Sequence, residues 1–178
     1  MTKNIYLIMG ASGSGKNYLA SLLEEKYGHK RVISCTSRKP RQGEPSGAYH
    51  FMTREDIDNS ADMIAVAEYC GNLYGAILSE VNESSLYIIE PEGVLLLKSV
   101  PCGVKPVKVI YLMSNESSVT DNMSSRGDSS DYVSERISND MNHFRMASDL
   151  ADLCLPYGDM HRACEVVQAF IEYCEGCA

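Results

Sequence analysis

The 178-residue sequence predicts an α/β fold in three layers, a mostly parallel central sheet with helices on both faces. Three observations predict it. Short apolar runs of strand length alternate with segments of helical period. The first run ends in a glycine-rich loop that opens directly into a helix. Strands separated by helices need right-handed crossovers, which leave the strands parallel and both faces covered.

The elements follow in order. Ile5-Tyr-Leu-Ile-Met9 is apolar throughout and reads as a buried strand. Residues 16–27 place Tyr18, Leu19, Leu22 and Leu23 at helical spacing and stop at Gly28. Arg31–Cys35 reads as a second short strand, and a polar stretch with Gly and Pro then runs to residue 50. Leu86–Glu90 is a strand running into Pro91, and Val107–Met113 is the clearest buried strand. Residues 116–125 and 130–147 read as polar helices joined by Arg126-Gly127-Asp128, and Cys154-Leu155 as a last short strand. Residues 159–174 set Met160, Ala163, Val166, Val167, Phe170, Ile171 and Cys174 on one helical face. In such a sheet, ligands sit at the carboxyl ends of the strands.

Composition narrows the function. The length suits one domain, and 44% apolar residues suffice for a core. A net charge of −8 and a pI of 5.0 offer no basic face for polymeric nucleic acid. No apolar run reaches the ~18 residues of a membrane span, and no signal peptide pattern is present, so a cytoplasmic protein is expected. Seven cysteines, at 35, 70, 102, 154, 164, 174 and 177, are expected as free thiols. Cys174 and Cys177 form a lone C-x-x-C with no second pair to complete a zinc site, and the four histidines show no ligand spacing.

The chemistry starts at Gly10-Ala11-Ser12-Gly13-Ser14-Gly15-Lys16-Asn17. This is the phosphate-binding pattern G-x-x-x-x-G-K between a strand and a helix. The glycines let backbone N–H groups form a concave nest at the positive end of the helix, and Lys16 reaches the outer phosphates of the ligand. Asn17 stands where a Ser or Thr hydroxyl usually meets Mg²⁺, so a modified metal site is expected there. A second constellation spans Ser34 to Phe51. Arg38 and Arg41 supply bidentate forks for a phosphate, and Pro40, Gly43 and Gly47 shape the loop that aims them.

The sequence resembles the guanylate kinases, P-loop nucleoside monophosphate kinases that pass the terminal phosphoryl group of ATP to GMP or dGMP. The matching stretches are Gly10–Lys16; Thr36-Ser-Arg38-Lys-Pro-Arg41-Gln-Gly-Glu44 with Gly47, Tyr49 and Phe51; Glu68 with Gly71-Asn72-Leu-Tyr74-Gly75; Ile89-Glu90-Pro-Glu-Gly93; and Arg126-Gly-Asp-Ser with Arg136. The resemblance implies a P-loop kinase fold, with a core of residues 1–33, 86–115 and 148–178. It also implies an inserted NMP-binding region at 34–85 and a mobile lid at 116–147. It implies that Ser34, Arg38, Arg41, Tyr49 and Tyr74 hold the acceptor phosphate. Glu44 and Glu68 belong to the same acceptor set, and Glu90 stands near the ribose and the Mg²⁺. Lys16, Arg38, Arg126 and Arg136 are the implied catalytic cations, and a monomer or homodimer is expected. Three places depart from the family pattern. Ala65 and Ala76 occupy the positions that read guanine, and Asn122 replaces a lid arginine. Two other readings therefore stay open: a domain that keeps the fold as an interaction module, and a kinase with a non-guanine acceptor.

Overall fold

A computed structural model describes residues 2–41, 43–45, 47–101, 103–124 and 130–176. In chain order the elements are β1 (Ile5–Met9), α1 (Lys16–Tyr27), β2 (Cys35–Thr36), β3 (His50–Phe51), α2 (Arg54–Asp58), β4 (Met63–Tyr69), β5 (Asn72–Ile77) and α3 (Leu78–Glu83). They continue with β6 (Leu86–Ile88), α4 (Pro91–Ser99), β7 (Val107–Leu112), α5 (Glu116–Ser124), α6 (Ser130–His143), α7 (Ala147–Leu150), β8 (Leu153–Leu155) and α8 (Met160–Glu175).

The core sheet is parallel in the order β6-β1-β7-β8. β1 lies inside it and is fully buried along its length. Side chains alternate across a strand. Ile5, Leu7 and Met9 therefore enter one core with Val94, Leu97 and Val109, while Tyr6 and Ile8 enter a second with Leu19, Leu23, Val167 and Ile171. Helices α1 and α8 cover the second face, and α4 and α7 the first. Local signals set the helix limits. α1 ends at Gly28 in the left-handed region, and Pro91 opens α4 at its first turn. Asp159 caps α8 by accepting from the N–H groups of His161 and Arg162.

A second, mixed sheet, in the order β3-β2-β5-β4, is built wholly from residues between 35 and 77. β4 and β5 form a hairpin whose two turn residues, Cys70 and Gly71, both have positive φ (49° and 73°), as a tight primed turn requires. A bulge between Ile64 and Ala67 shifts the register of β4 and leaves Ala65 at φ 51°.

Some expected limits move. Arg31–Cys35 is not one strand. Arg31 makes a single parallel bridge to Leu86 and the N–H of Val32 reaches the Leu86 carbonyl, but the chain then leaves the core sheet. Cys35 and Thr36 pair instead with β3 and β5, because the hairpin offers them a full ladder. The strand expected to reach Glu90 ends at Ile88, and Glu90 is the residue before the first turn of α4. The helix expected over 130–147 breaks after His143 and resumes at Ala147. Cys35, Cys70, Cys154, Cys164 and Cys174 are free thiols, and no described helix is long and apolar enough to cross a membrane.

A clasp near the two ends of the described chain ties α8 to β1. The Glu175 carboxylate accepts from the backbone N–H of Lys3 (2.6 Å) and of Asn4 (3.1 Å), from Asn4 Nδ2 (2.7 Å) and from the Tyr6 hydroxyl (2.7 Å). Burial works against its charge, yet these donors, led by the Lys3 N–H, hold its carboxyl down from 4.5 to about 2. Its folded pKa is depressed, so its stabilisation is complete above the unfolded value and fades as pH falls toward 2. Glu175→Gln is expected to cost about 1.5 kcal/mol at pH 7, the lower end for charge-assisted hydrogen bonds. In urea titrations the gap to the wild-type protein should close between pH 4.5 and 2.

Candidate functional site

The glycine-rich loop leaves the carboxyl end of β1, and close packing permits its path. A Cβ on Gly10 would lie 2.7 Å from the Leu112 carbonyl oxygen and 2.7 Å from Ser14 Oγ. Gly15 sits at φ 94° as the cap of α1, and a Cβ there would meet Met160 Cε at 2.8 Å. No side chain caps α1 and no acidic residue stands in its first turn, so the helix itself places no anion at its positive end. Lys16 folds back over the loop, donating from Nζ to the carbonyls of Gly10 (2.5 Å) and Ala11 (2.8 Å). Ser14 is 2% exposed, and its hydroxyl has no hydrogen-bond partner among the described residues.

Opposite the loop stands a clamped arginine. Arg38 Nη2 donates to Glu44 Oε1 at 2.7 Å and Nη1 to Glu44 Oε2 at 3.1 Å. The guanidinium lies 5.2 Å from the centre of the Tyr49 ring and 5.6 Å from that of Phe51. Tyr49 in turn meets Tyr74 edge to face at 6.3 Å. The N–H of Arg41 donates to Glu44 Oε2 at 2.9 Å, so one carboxylate organises both arginines. Burial opposes the charge on each partner. Even so, the hydrogen bonds between them raise the Arg38 pKa and lower that of Glu44, and both are ionised at neutral pH. Burial also pushes the Tyr49 phenol up, which keeps it a neutral donor.

Loop and clamp share one cleft of about 630 Å³. Ser12, Gly13, Ser14, Gly15, Lys16 and Asn17 of the loop line it, and so do Ser34, Arg38, Arg41, Glu44, Tyr49, Tyr74 and Glu90. Gly10 and Ala11, at the start of the loop, are not among the lining residues of this cleft, and Ala11 faces a separate cavity of about 260 Å³. Glu68 stands at the cleft, but its carboxylate accepts from both terminal nitrogens of Arg54 at 3.2 Å in an exposed pair. The two alanines separate. Ala65 lines the cleft, whereas Ala76 is fully buried in the core. Asn122 donates to the Gly13 carbonyl at 2.8 Å, so α5 touches the phosphate loop. Arg126 lies outside the described residues, and of Arg136 only its place on α6 is described.

The structure adds cleft residues that sequence reasoning missed. Tyr18, Tyr157 and Met160 line the cleft beside the loop, and Tyr69 and His143 line it beyond Ala67. No motif marks them, since they come from α1, the β8–α8 connection, α8, β4 and α6. The oxygen donors in the cleft suit a hard cation: the Asn17 amide and the Glu90 carboxylate both line it, and Mg²⁺ takes one or two such ligands beside phosphate oxygens and water.

A parallel core sheet that delivers a phosphate loop to a cleft shared with an arginine–tyrosine clamp defines a P-loop kinase. The comparisons with known proteins narrow that class. A family model for guanylate kinase matches residues 2–174. The chain is 29% identical over 180 residues to a guanylate kinase of Fusobacterium nucleatum, covering 94% of this chain and 95% of that one. It is 33% identical over 148 residues to a guanylate kinase of Streptococcus pyogenes, covering 75% and 68%. The crystal structure of guanylate kinase from Anaplasma phagocytophilum superposes with a TM-score of 0.68 at 18% identity, covering 98% of this chain and 88% of that one. The chain belongs to the guanylate kinase family.

Because the Leu112 carbonyl is backbone and cannot swing aside, Gly10→Ala is expected to destabilise the protein by about 1–3 kcal/mol, the usual cost of overpacking. Chemical denaturation followed by circular dichroism measures it.

Proposed function

We propose that this chain transfers the terminal phosphoryl group of ATP to GMP or dGMP. The observation that carries this reading is the shared cleft, which Lys16 and the Arg38–Tyr49–Tyr74 cluster line together. Its volume falls within the range of roughly 300–1,000 Å³ usual for small-molecule sites. Family membership supports the guanine acceptor.

The donor's phosphates lie along the nest from Ser12 to Asn17, with Lys16 leaving its carbonyl partners to meet the outer oxygens. The acceptor phosphate enters between Arg38, Arg41, Ser34, Tyr49 and Tyr74. There it competes with Glu44 for the Arg38 fork, and the stacked rings keep that fork in place during the exchange. The acceptor oxygen is already ionised, so no general base is needed. Catalysis rests on alignment and on charge stabilisation of the transferred group. Arg126 and Arg136 close over the triphosphate as parts of a lid spanning 116–147, excluding water and wasteful hydrolysis. The NMP-binding region is 34–85, and the remainder is the core. Asn17 and Glu90 are the residues that would hold Mg²⁺, which screens the donor phosphates when bound. Glu68 and Glu90 complete the acceptor side. The acidic surface and free thiols support a cytoplasmic setting.

ADP release measured across GMP, dGMP, IMP, AMP, CMP, UMP and dTMP tests the reading. Stimulation by the guanine nucleotides is expected, and stimulation by none would overturn it. Lys16→Ala is expected to lower kcat by about 10²–10³-fold, the loss typical of one preorganised donor. Arg38→Lys keeps the charge but loses the fork and the ring stacking, so acceptor KM should rise about tenfold while ATP KM stays within twofold.

A further inference from the structure

We propose that Asp140 is a positioning residue that couples the donor loop to the acceptor-side sheet through α6. Its carboxylate is 5% exposed and joins three segments distant in sequence. Oδ2 accepts from the backbone N–H of Ser12, in the phosphate loop, at 2.6 Å. Oδ1 accepts from the hydroxyl of Tyr69, on β4 of the second sheet. Ser12 and Tyr69 both line the cleft, while Asp140 faces the smaller cavity behind the loop. It therefore acts on the nucleotides through its two donors and not by contact.

A buried carboxylate tolerates its loss of hydration only while charge-assisted hydrogen bonds replace the water. Both bonds form together only when α6 is seated against loop and sheet at once. Withdrawal of any one of the three leaves the buried carboxylate with too few donors. His143, on the last turn of α6, packs edge to face on Tyr69 at 5.1 Å and sets the direction of the phenol. The Asn122 bond to Gly13 and the apolar contact of Val119, Met123 and Val133 with Ala11 and Ile137 hold the lid-side helices on the same loop. A nucleotide that orders either wall of the cleft thus favours the seated α6, and the seated α6 favours the other wall. Such coupling is reciprocal by thermodynamic necessity.

This inference rests on the proposed phosphotransfer for the assignment of donor and acceptor walls. Calorimetric titration of the full chain with GMP, with and without a saturating non-hydrolysable Mg-ATP analogue, tests it. In the wild-type protein GMP affinity is expected to rise about tenfold when the analogue is present, within the range typical of coupled sites. In Asp140→Ala that rise should fall below twofold, with each nucleotide's separate affinity held within threefold. The kcat should drop about tenfold, as for a small misplacement of aligned reactants. Asp140→Asn keeps one acceptor oxygen and should lie between. Tyr69→Phe removes one bond without deleting buried volume, and it should add no further loss in the Asp140→Ala background. It carries the test by itself if Asp140→Ala does not fold. Intact coupling in either variant, or a lowered melting temperature as the sole change, overturns the proposal. Absence of coupling in the wild-type protein overturns it too, even with normal turnover. Coupled binding without any ADP release leaves Asp140 in its role and overturns the phosphotransfer reading instead.

Discussion

Strand β1 has no solvent face, and that constraint settles where the chemistry can happen. Its odd-numbered side chains are committed to one core and its even-numbered ones to the other. A slip of one residue would exchange the two sets, so the register is fixed on both sides. The chain must then leave the sheet at Met9 and turn within a few residues into α1, whose apolar face is committed to the core shared with α8. A phosphate nest is the conformation that this short span of glycines can adopt between two immovable elements. The loop's shape is therefore imposed by burial on either side of it.

The clamp on the opposite wall is held by different forces. Arg38 is fixed by ion pairing with Glu44 and by two aromatic faces, in a segment with little apolar burial of its own. Such an arrangement is stiff in direction, because two rings flank the guanidinium while the carboxylate holds its fork. Burial cages the phosphate loop, while electrostatics cage the arginine. The two walls therefore respond differently to their surroundings.

The legible parts of the sequence were those whose partners lie close along the chain. The loop from Gly10 to Lys16, the helix ending at Gly28 and the apolar runs of β1 and β7 all declare themselves through period and punctuation. The hairpin β4–β5 did not. Ala65, Ala67 and Ala76 carry little hydrophobic signal, and the bulge at Ala65 breaks the alternation that marks a strand. Arg31–Cys35 looked like one short strand, but the decision to leave the core sheet depends on β5, some forty residues later. The cluster from Arg38 to Tyr49 was visible as a concentration of chemistry, although the partnership of Glu44 with Arg38 required coordinates. Asp140 was invisible altogether, since an acidic residue in a polar helix reads as solvated until Ser12 and Tyr69 are seen beside it.

The clasp at Glu175 carries a consequence for how the molecule is made. Its carboxylate gathers donors from Lys3, Asn4 and Tyr6, contacts that span up to 172 residues of sequence. Translation delivers those donors first and the acceptor last, seconds later at ordinary ribosomal speed. Until α8 emerges, Tyr6 and Ile8 lack half of their cover, and the nascent chain exposes an apolar strand beside an unfinished nest.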